Sequence, residues 1–125
     1  PFFKQGIYPL QNQRIISRHE KTLNLNELFF SARKLLSNNG TISLILPSDR
    51  ATECMEEALN QNLYLSHINI IIPKEQLKPN RHILSFSKTN KNLIEFSHIT
   101  LRSKNNLYTN EFKELVKEYY LDFPY

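Results

Sequence analysis

The residues of this chain whose types and spacing could do chemistry are few. Arg18-His19-Glu20 sets a cation, a titratable ring and a carboxylate side by side. Such a triplet can position a phosphate or supply a base, and it can equally form an ion pair with the helix that follows. Pro1-Phe2-Phe3-Lys4 puts aromatic rings directly behind a proline. A ring held in this way suits stacking on a planar base, worth roughly 1–3 kcal/mol per base, although core or hairpin packing would use the same residues. Lys4, Arg14, Arg18, Lys74, Lys78 and Arg81 fall between the periodic segments. There they can meet phosphates, which positions a nucleic acid without reading its sequence, or they can serve as solvated surface charge. No HExxH, Gly-x-Ser-x-Gly, P-loop or CxxC pattern occurs. His19, His67, His82 and His98 lack the spacing of metal ligands and read as strand or loop residues, so no metal is expected.

The element that must position these groups is residues 23–50. Asn24 and Glu27 have the spacing of a capping box, flanked by Leu23 and Leu28 as a hydrophobic staple. Leu25, Leu28, Phe29, Ala32, Leu35 and Leu36 recur at helical spacing, which predicts one apolar face with Arg33 and Lys34 toward solvent. Gly40 is the expected left-handed helix stop. Residues 42–46 with Pro47 are almost wholly apolar, the pattern of an inner parallel strand buried on both faces. Its end, Pro47-Ser48-Asp49, lies where open α/β sheets place their sites.

A second helix is expected after Asp49 as cap, with Ala51, Cys54, Met55, Ala58 and Leu59 inward and Glu53, Glu56 and Glu57 solvated. Residues 64–73 and 81–88 then read as strands. Their polar link, KEQLKPN, is too short for a crossover helix, so they should pair antiparallel. A further closing strand spans 93–102, after the turn Asn90-Lys91-Asn92. Thr109 caps a last helix with Phe112, Leu115, Val116 and Tyr119 on one face. Residues 1–22 show no period and read as a long loop, a length that is often functional.

Composition narrows the classes. The 125 residues, 40% of them hydrophobic, support one domain and not two. The net charge of +4 and pI near 9.3 permit an anionic partner such as RNA, but 12 acidic residues are interspersed among 16 basic ones. The single cysteine, Cys54, excludes an internal disulfide and reads as a small core residue in a reducing compartment. No apolar run approaches the roughly 20 residues that span a bilayer, and a cytoplasmic protein with no membrane partner is expected. With only Gly6 and Gly40, the chain lacks a glycine-rich nucleotide-binding turn. A nucleotide-binding half, if one exists, is expected upstream.

Four stretches together resemble the tRNA(Val) adenine-N6 methyltransferase family, class I Rossmann-like enzymes with an Asn-Pro-Pro-Phe/Tyr motif. Pro1-Phe2-Phe3 is similar to the end of that motif. Ser17-Arg18-His19-Glu20 is similar to an (Ala/Ser)-Arg-His-Glu stretch before the next helix. Residues 35–49, with LILPSD, resemble the fifth strand and its turn. Residues 77–87, LKPNRHILSFS, and 101–121 resemble the closing strands and terminal helix.

The resemblance implies an α/β fold that is the C-terminal half of a Rossmann-like sheet: one inner parallel strand, then antiparallel closing strands, with helices packed on the sheet. Residues 1–125 would be the C-terminal portion of one methyltransferase domain. It implies transfer of a methyl group from S-adenosylmethionine to the N6 of adenine in tRNA. Pro1 and Phe2 then occupy the third and fourth motif positions and are the catalytic candidates, Phe2 stacking on the extruded base. Phe3, Lys4, Arg18, His19, Glu20 and Arg81 are the substrate-binding candidates. The motif's Asn is not in the chain, and neither are the glycine-rich turn and acidic ribose-binding residue of the cofactor site. The chain alone is thus expected to be inactive and, with its central strand as an apolar edge, to self-associate. The alternatives are another Asn-Pro-Pro-aromatic methyltransferase, acting on release-factor glutamine, ribosomal RNA guanine or DNA adenine, or a non-enzymatic α/β module that binds RNA or protein.

Overall fold

A computed structural model describes residues 24–120. The first helix, α1 (Leu25–Leu35), begins as its sequence dictates: the Glu27 backbone N–H donates to the Asn24 side-chain oxygen at 2.8 Å. Leu25 and Phe29 are buried, with Leu28, Ala32 and Leu36 packed beside them. Leu35 departs from the expected stripe and is 86% exposed, because the helix ends there and Leu36 takes up extended backbone. Gly40 is not a left-handed stop either, since no described glycine has positive φ. A Cβ at Gly40 would sit 3.0 Å from the Leu36 and Ser37 side chains, so close packing is what the glycine permits.

Strand β1 (Thr41–Pro47) leads through a single 3-10 turn, Ser48–Arg50, into α2 (Ala51–Asn60). Asp49 lies inside that turn and is not the cap. The flanking position is Arg50, whose side chain is buried and pairs with Glu53. Ala51, Cys54 and Ala58 are buried as expected, whereas Leu59 is 58% exposed. The helix stops at Asn62, which takes φ of 54°. Leu63 N–H bonds to the Ala58 carbonyl and Asn62 N–H to the Leu59 carbonyl, the paired bonds of a Schellman motif, with Leu63 buried beneath.

Strands β2 (Tyr64–Ile72), β3 (Arg81–Ser87) and β4 (Glu95–Thr100) complete a four-stranded mixed sheet of order β1-β3-β2-β4. The antiparallel pairing of β2 with β3 agrees with the short polar link between them, in a register that sets Ile68 opposite Leu84. β3 also pairs antiparallel with β1, Leu44 opposite Leu84. β1 and β2 therefore run the same way, with β3 reversed between them and α2 as the crossover.

Two expectations about the sheet are corrected. β4 is not an antiparallel closing strand beside β3; it pairs parallel with β2 at the far edge, His67 opposite Glu95. The turn at residues 88–94 crosses the amino end of β2 to reach it. β1 is at one edge of the described sheet, as expected of this chain alone, but its described pairing is antiparallel and it is not buried on both faces. Its burial alternates: Leu44 and Leu46 are buried, whereas Thr41 and Ser43 are exposed and Ile45 is 55% exposed. The helices α1 and α2 supply side chains to the core on the Leu44 face alone.

That core joins Phe29 of α1, Cys54 and Ala58 of α2, Leu44 and Leu46 of β1, Leu84 and Phe86 of β3, and Ile68 of β2. The Phe29 and Phe86 rings meet edge to face, 5.2 Å between centroids at 73°. The last helix, α3 (Asn110–Val116), is capped as predicted by Thr109, whose Oγ1 accepts from the Phe112 N–H at 3.2 Å. The same hydroxyl donates to the Thr100 carbonyl at 2.6 Å and so fastens α3 to β4. The helix is short. Phe112 and Val116 are half-buried, but Leu115 and Tyr119 are exposed, the latter beyond the helical end. The Thr109 bond ties the start of α3 to β4, and Leu115 and Tyr119 lie beyond that attachment.

Phe29→Ala should lower unfolding free energy by about 3–5 kcal/mol, since it opens a cavity beneath Phe86. Leu35→Ser, at an exposed position, should change it by less than about 0.5 kcal/mol. Urea melts of the two variants followed by circular dichroism test the pair, and a costly Leu35→Ser would contradict the packing described.

Candidate functional site

β1, β2 and β4 share one direction, so their carboxyl ends and the amino end of β3 lie at one end of the sheet. That end is built from the Pro47–Arg50 turn, the 73–80 tip and the 101–109 loop. Pro47 stands opposite Arg81 in the β1–β3 register. Ser48 then turns the chain: its N–H donates to the Asn80 carbonyl at 3.1 Å, and its hydroxyl lies 2.9 Å from Nδ1 of His82. The turn after β1 is thereby bolted to the start of β3. The Asn80 carbonyl also accepts from Arg81 Nη1 at 3.1 Å, and Arg81 itself is exposed.

Of the catalytic and substrate-binding candidates proposed from sequence, Arg81 is the one the structure describes; the possible phosphate contacts Lys74 and Lys78 are described as well. Arg81 stands beside Pro47, at the strand end expected to carry the site. Pro1, Phe2, Phe3, Lys4, Arg18, His19 and Glu20 lie outside the described residues. His67, His82 and His98 are strand residues, and no group of three or more potential metal ligands occurs among the described residues. His67 instead bonds the Ser97 hydroxyl through Nε2 at 2.7 Å, across the β2–β4 pair.

The structure adds contacts that sequence reasoning missed. Ser48 and His82 are 34 residues apart, and no spacing announces their bond. Arg102 holds its guanidinium 3.8 Å above the ring of Tyr108, which in turn lies 5.4 Å from the ring of Phe112. Arg102 and Tyr108 also form an isolated antiparallel bridge. A basic residue and an aromatic six apart around Asn105 and Asn106 is the available hint, and Asn106 does take positive φ.

S-adenosylmethionine, which the resemblance implies, does not fit the described residues. Such a cofactor needs a glycine-rich turn between strand and helix that lets the backbone approach it. Of the two described strand-to-helix connections, Pro47–Arg50 is a 3-10 turn and residues 101–109 form a loop, neither with a glycine, and Gly40 precedes a strand, where an added Cβ would meet Leu36 and Ser37.

The fold and this site define an α/β protein with polar loops gathered at the carboxyl ends of its three like-directed strands. No protein-family model matches the chain. The chain is similar, over nearly all its length, to curated proteins named tRNA1(Val) (adenine(37)-N6)-methyltransferase. It is 34% identical to that of Histophilus somni (strain 129Pt) over 123 residues, 98% of this chain and 50% of the relative. It is 30% identical to those of Parabacteroides distasonis and Vibrio campbellii over 121 residues, 97% of this chain and 51% and 50% of those proteins. The resemblance read from the motifs is thereby shown, and the match is consistent with a C-terminal fragment of that family. The chain spans about half the length of the curated relatives it matches.

Ser48→Ala should cost about 1 kcal/mol of stability, the typical net value of one hydrogen bond. Arg81→Ala should cost less than about 0.5 kcal/mol, because its side chain is exposed. Denaturant midpoints compare them; equal losses would mean that Arg81 serves the fold and not a surface.

Proposed function

We propose that the chain is the substrate-side half of an S-adenosylmethionine-dependent methyltransferase that modifies the N6 of adenine in tRNA. The observation that carries this reading is the similarity of 97–98% of the chain to proteins so named. The described architecture supports it: a crossover helix joins two strands of like direction, and a reversed strand fills the gap between them, as suits the closing part of a Rossmann-like sheet. The chain would form one domain with an upstream half that binds the methyl donor, and would work in the cytoplasm.

The chemistry explains which residues matter. The lone pair of N6 is delocalised into the adenine ring, so the nitrogen attacks poorly unless the base is held and its amino protons are accepted. In this reading Phe2, behind Pro1, stacks on the base after it leaves its helix. Phe3, Lys4, Arg18, His19, Glu20 and Arg81 hold the surrounding nucleotides. The strand end Pro47-Ser48-Asp49, pinned by His82, walls the same pocket. The edge strand β1 lies where an upstream half would continue the sheet. Alone, the chain would present that edge to another copy.

A polypeptide that includes the upstream half should transfer labelled methyl groups to tRNA, and Phe2→Ala should reduce the rate by about tenfold or more, as loss of one stacking contact implies. Unchanged turnover would remove Phe2 from the base pocket. The 125-residue chain by itself should transfer no methyl group and should sediment as a self-associated species. A monodisperse monomer would refute the edge argument without touching the catalytic one.

A further inference from the structure

Among the described residues the excess of positive charge lies in one place. Of the 12 Lys and Arg and 10 Asp and Glu among residues 24–120, residues 73–81 and 101–105 hold five and one, which leaves seven and nine over the other described residues. The five are Lys74, Lys78, Arg81, Arg102 and Lys104, and the carboxylate is Glu75. In sequence they form two unremarkable loops. In the fold they become one surface, because Glu75 ties them together: its N–H donates to the Arg102 carbonyl at 2.9 Å, and its Oε2 accepts from the Lys104 N–H at 3.2 Å. The one acidic side chain is thus engaged with backbone and binds the loops to each other.

We propose that these two loops form a single cationic rim that contacts the phosphate backbone of RNA. The proposal rests on the tRNA-methyltransferase reading and assigns to it the surface that carries the RNA. Lys78, Arg81 and Lys104 are exposed. Arg102 is prepositioned: Tyr108 supports the plane of its guanidinium, and Nη1 donates to the Asn106 carbonyl at 2.7 Å. A planar cation held this way meets a phosphate with little loss of side-chain freedom. Asp49 and Glu111 flank the rim at the turn after β1 and the start of α3, and so bound its extent. The position also suits the partner. Arg81 opens the rim beside Pro47, so RNA lying along it would pass the strand end proposed to wall the base pocket.

Phosphate contacts release counterions, so each one steepens the dependence of affinity on salt by about 0.7–0.9 in a double-logarithmic plot. The test is filter binding of an unmodified tRNA transcript to the 125-residue chain between about 50 and 200 mM salt. The double variant Lys78→Ala/Lys104→Ala should bind several-fold more weakly, with a slope smaller by about 1.4–1.8. Lys34→Ala/Lys91→Ala, which removes two exposed cations away from the rim, should leave affinity and slope unchanged. Equal effects from the two pairs, or no binding of tRNA by the chain, would overturn the rim. Methyl transfer by a polypeptide with the upstream half is read separately. Normal transfer and KM for tRNA in the Lys78→Ala/Lys104→Ala background would end this proposal and leave the methyltransferase reading standing, whereas absent transfer with intact rim binding would do the reverse.

Discussion

The edge-to-face contact of Phe29 with Phe86 is the junction through which the rest of the described structure is assembled. Phe86 lies on β3, which is hydrogen-bonded on both sides, so whatever holds Phe86 also holds the register of β1 and β2. Phe29 brings α1 onto the sheet, and Cys54 and Ala58, the small residues of α2, let the second helix pack close by. Because side chains alternate along a strand, seating Phe86 and Leu84 inward also directs Ser85 and Ile83 to the opposite face. There Ser85 meets the Ser43 hydroxyl of β1 at 2.8 Å.

From that register follows the geometry of the functional end. With Leu84 between Leu44 and Ile68, the start of β3 must fall beside the end of β1, which sets Arg81 against Pro47 and His82 within reach of Ser48. A slip of one residue would turn Arg81 and Phe86 to the wrong faces together. Core packing and the placement of the candidate RNA contacts are therefore one constraint, even though Arg81 is exposed and adds little to stability. The rim follows similarly: β4 pairs with β2, so the loops that leave their carboxyl ends are neighbours, and Glu75 can join them.

The places where the local pattern misled have a common physical cause. For Gly40, Asp49, Leu35 and Leu59 the expected roles rest on a rule about one helix end or one helix face. In the fold, tertiary packing chose otherwise: the helix stopped before Gly40, a 3-10 turn absorbed Asp49, and Leu35 and Leu59 fell just past the rim of the core. Caps that are self-contained were legible, as at Asn24 and Thr109, because donor and acceptor lie within three residues. The partner of β4 was not, because a short turn such as Asn90-Lys91-Asn92 allows either a hairpin or a step across a neighbouring strand.

The sequence by itself determined the element order, the antiparallel joining of β2 and β3, the burial of Cys54, and the resemblance that the relatives then showed. These depend on period, on link length, and on motifs whose order survives in a linear string. Only the tertiary structure decided that β3 is inserted between β1 and β2, that β1 is covered on one face by the described helices, and that Ser48 meets His82. It also decided that two basic loops separated by some twenty residues share one surface. Strand order and loop adjacency are set by pairings between residues far apart in the chain, and no local propensity encodes them.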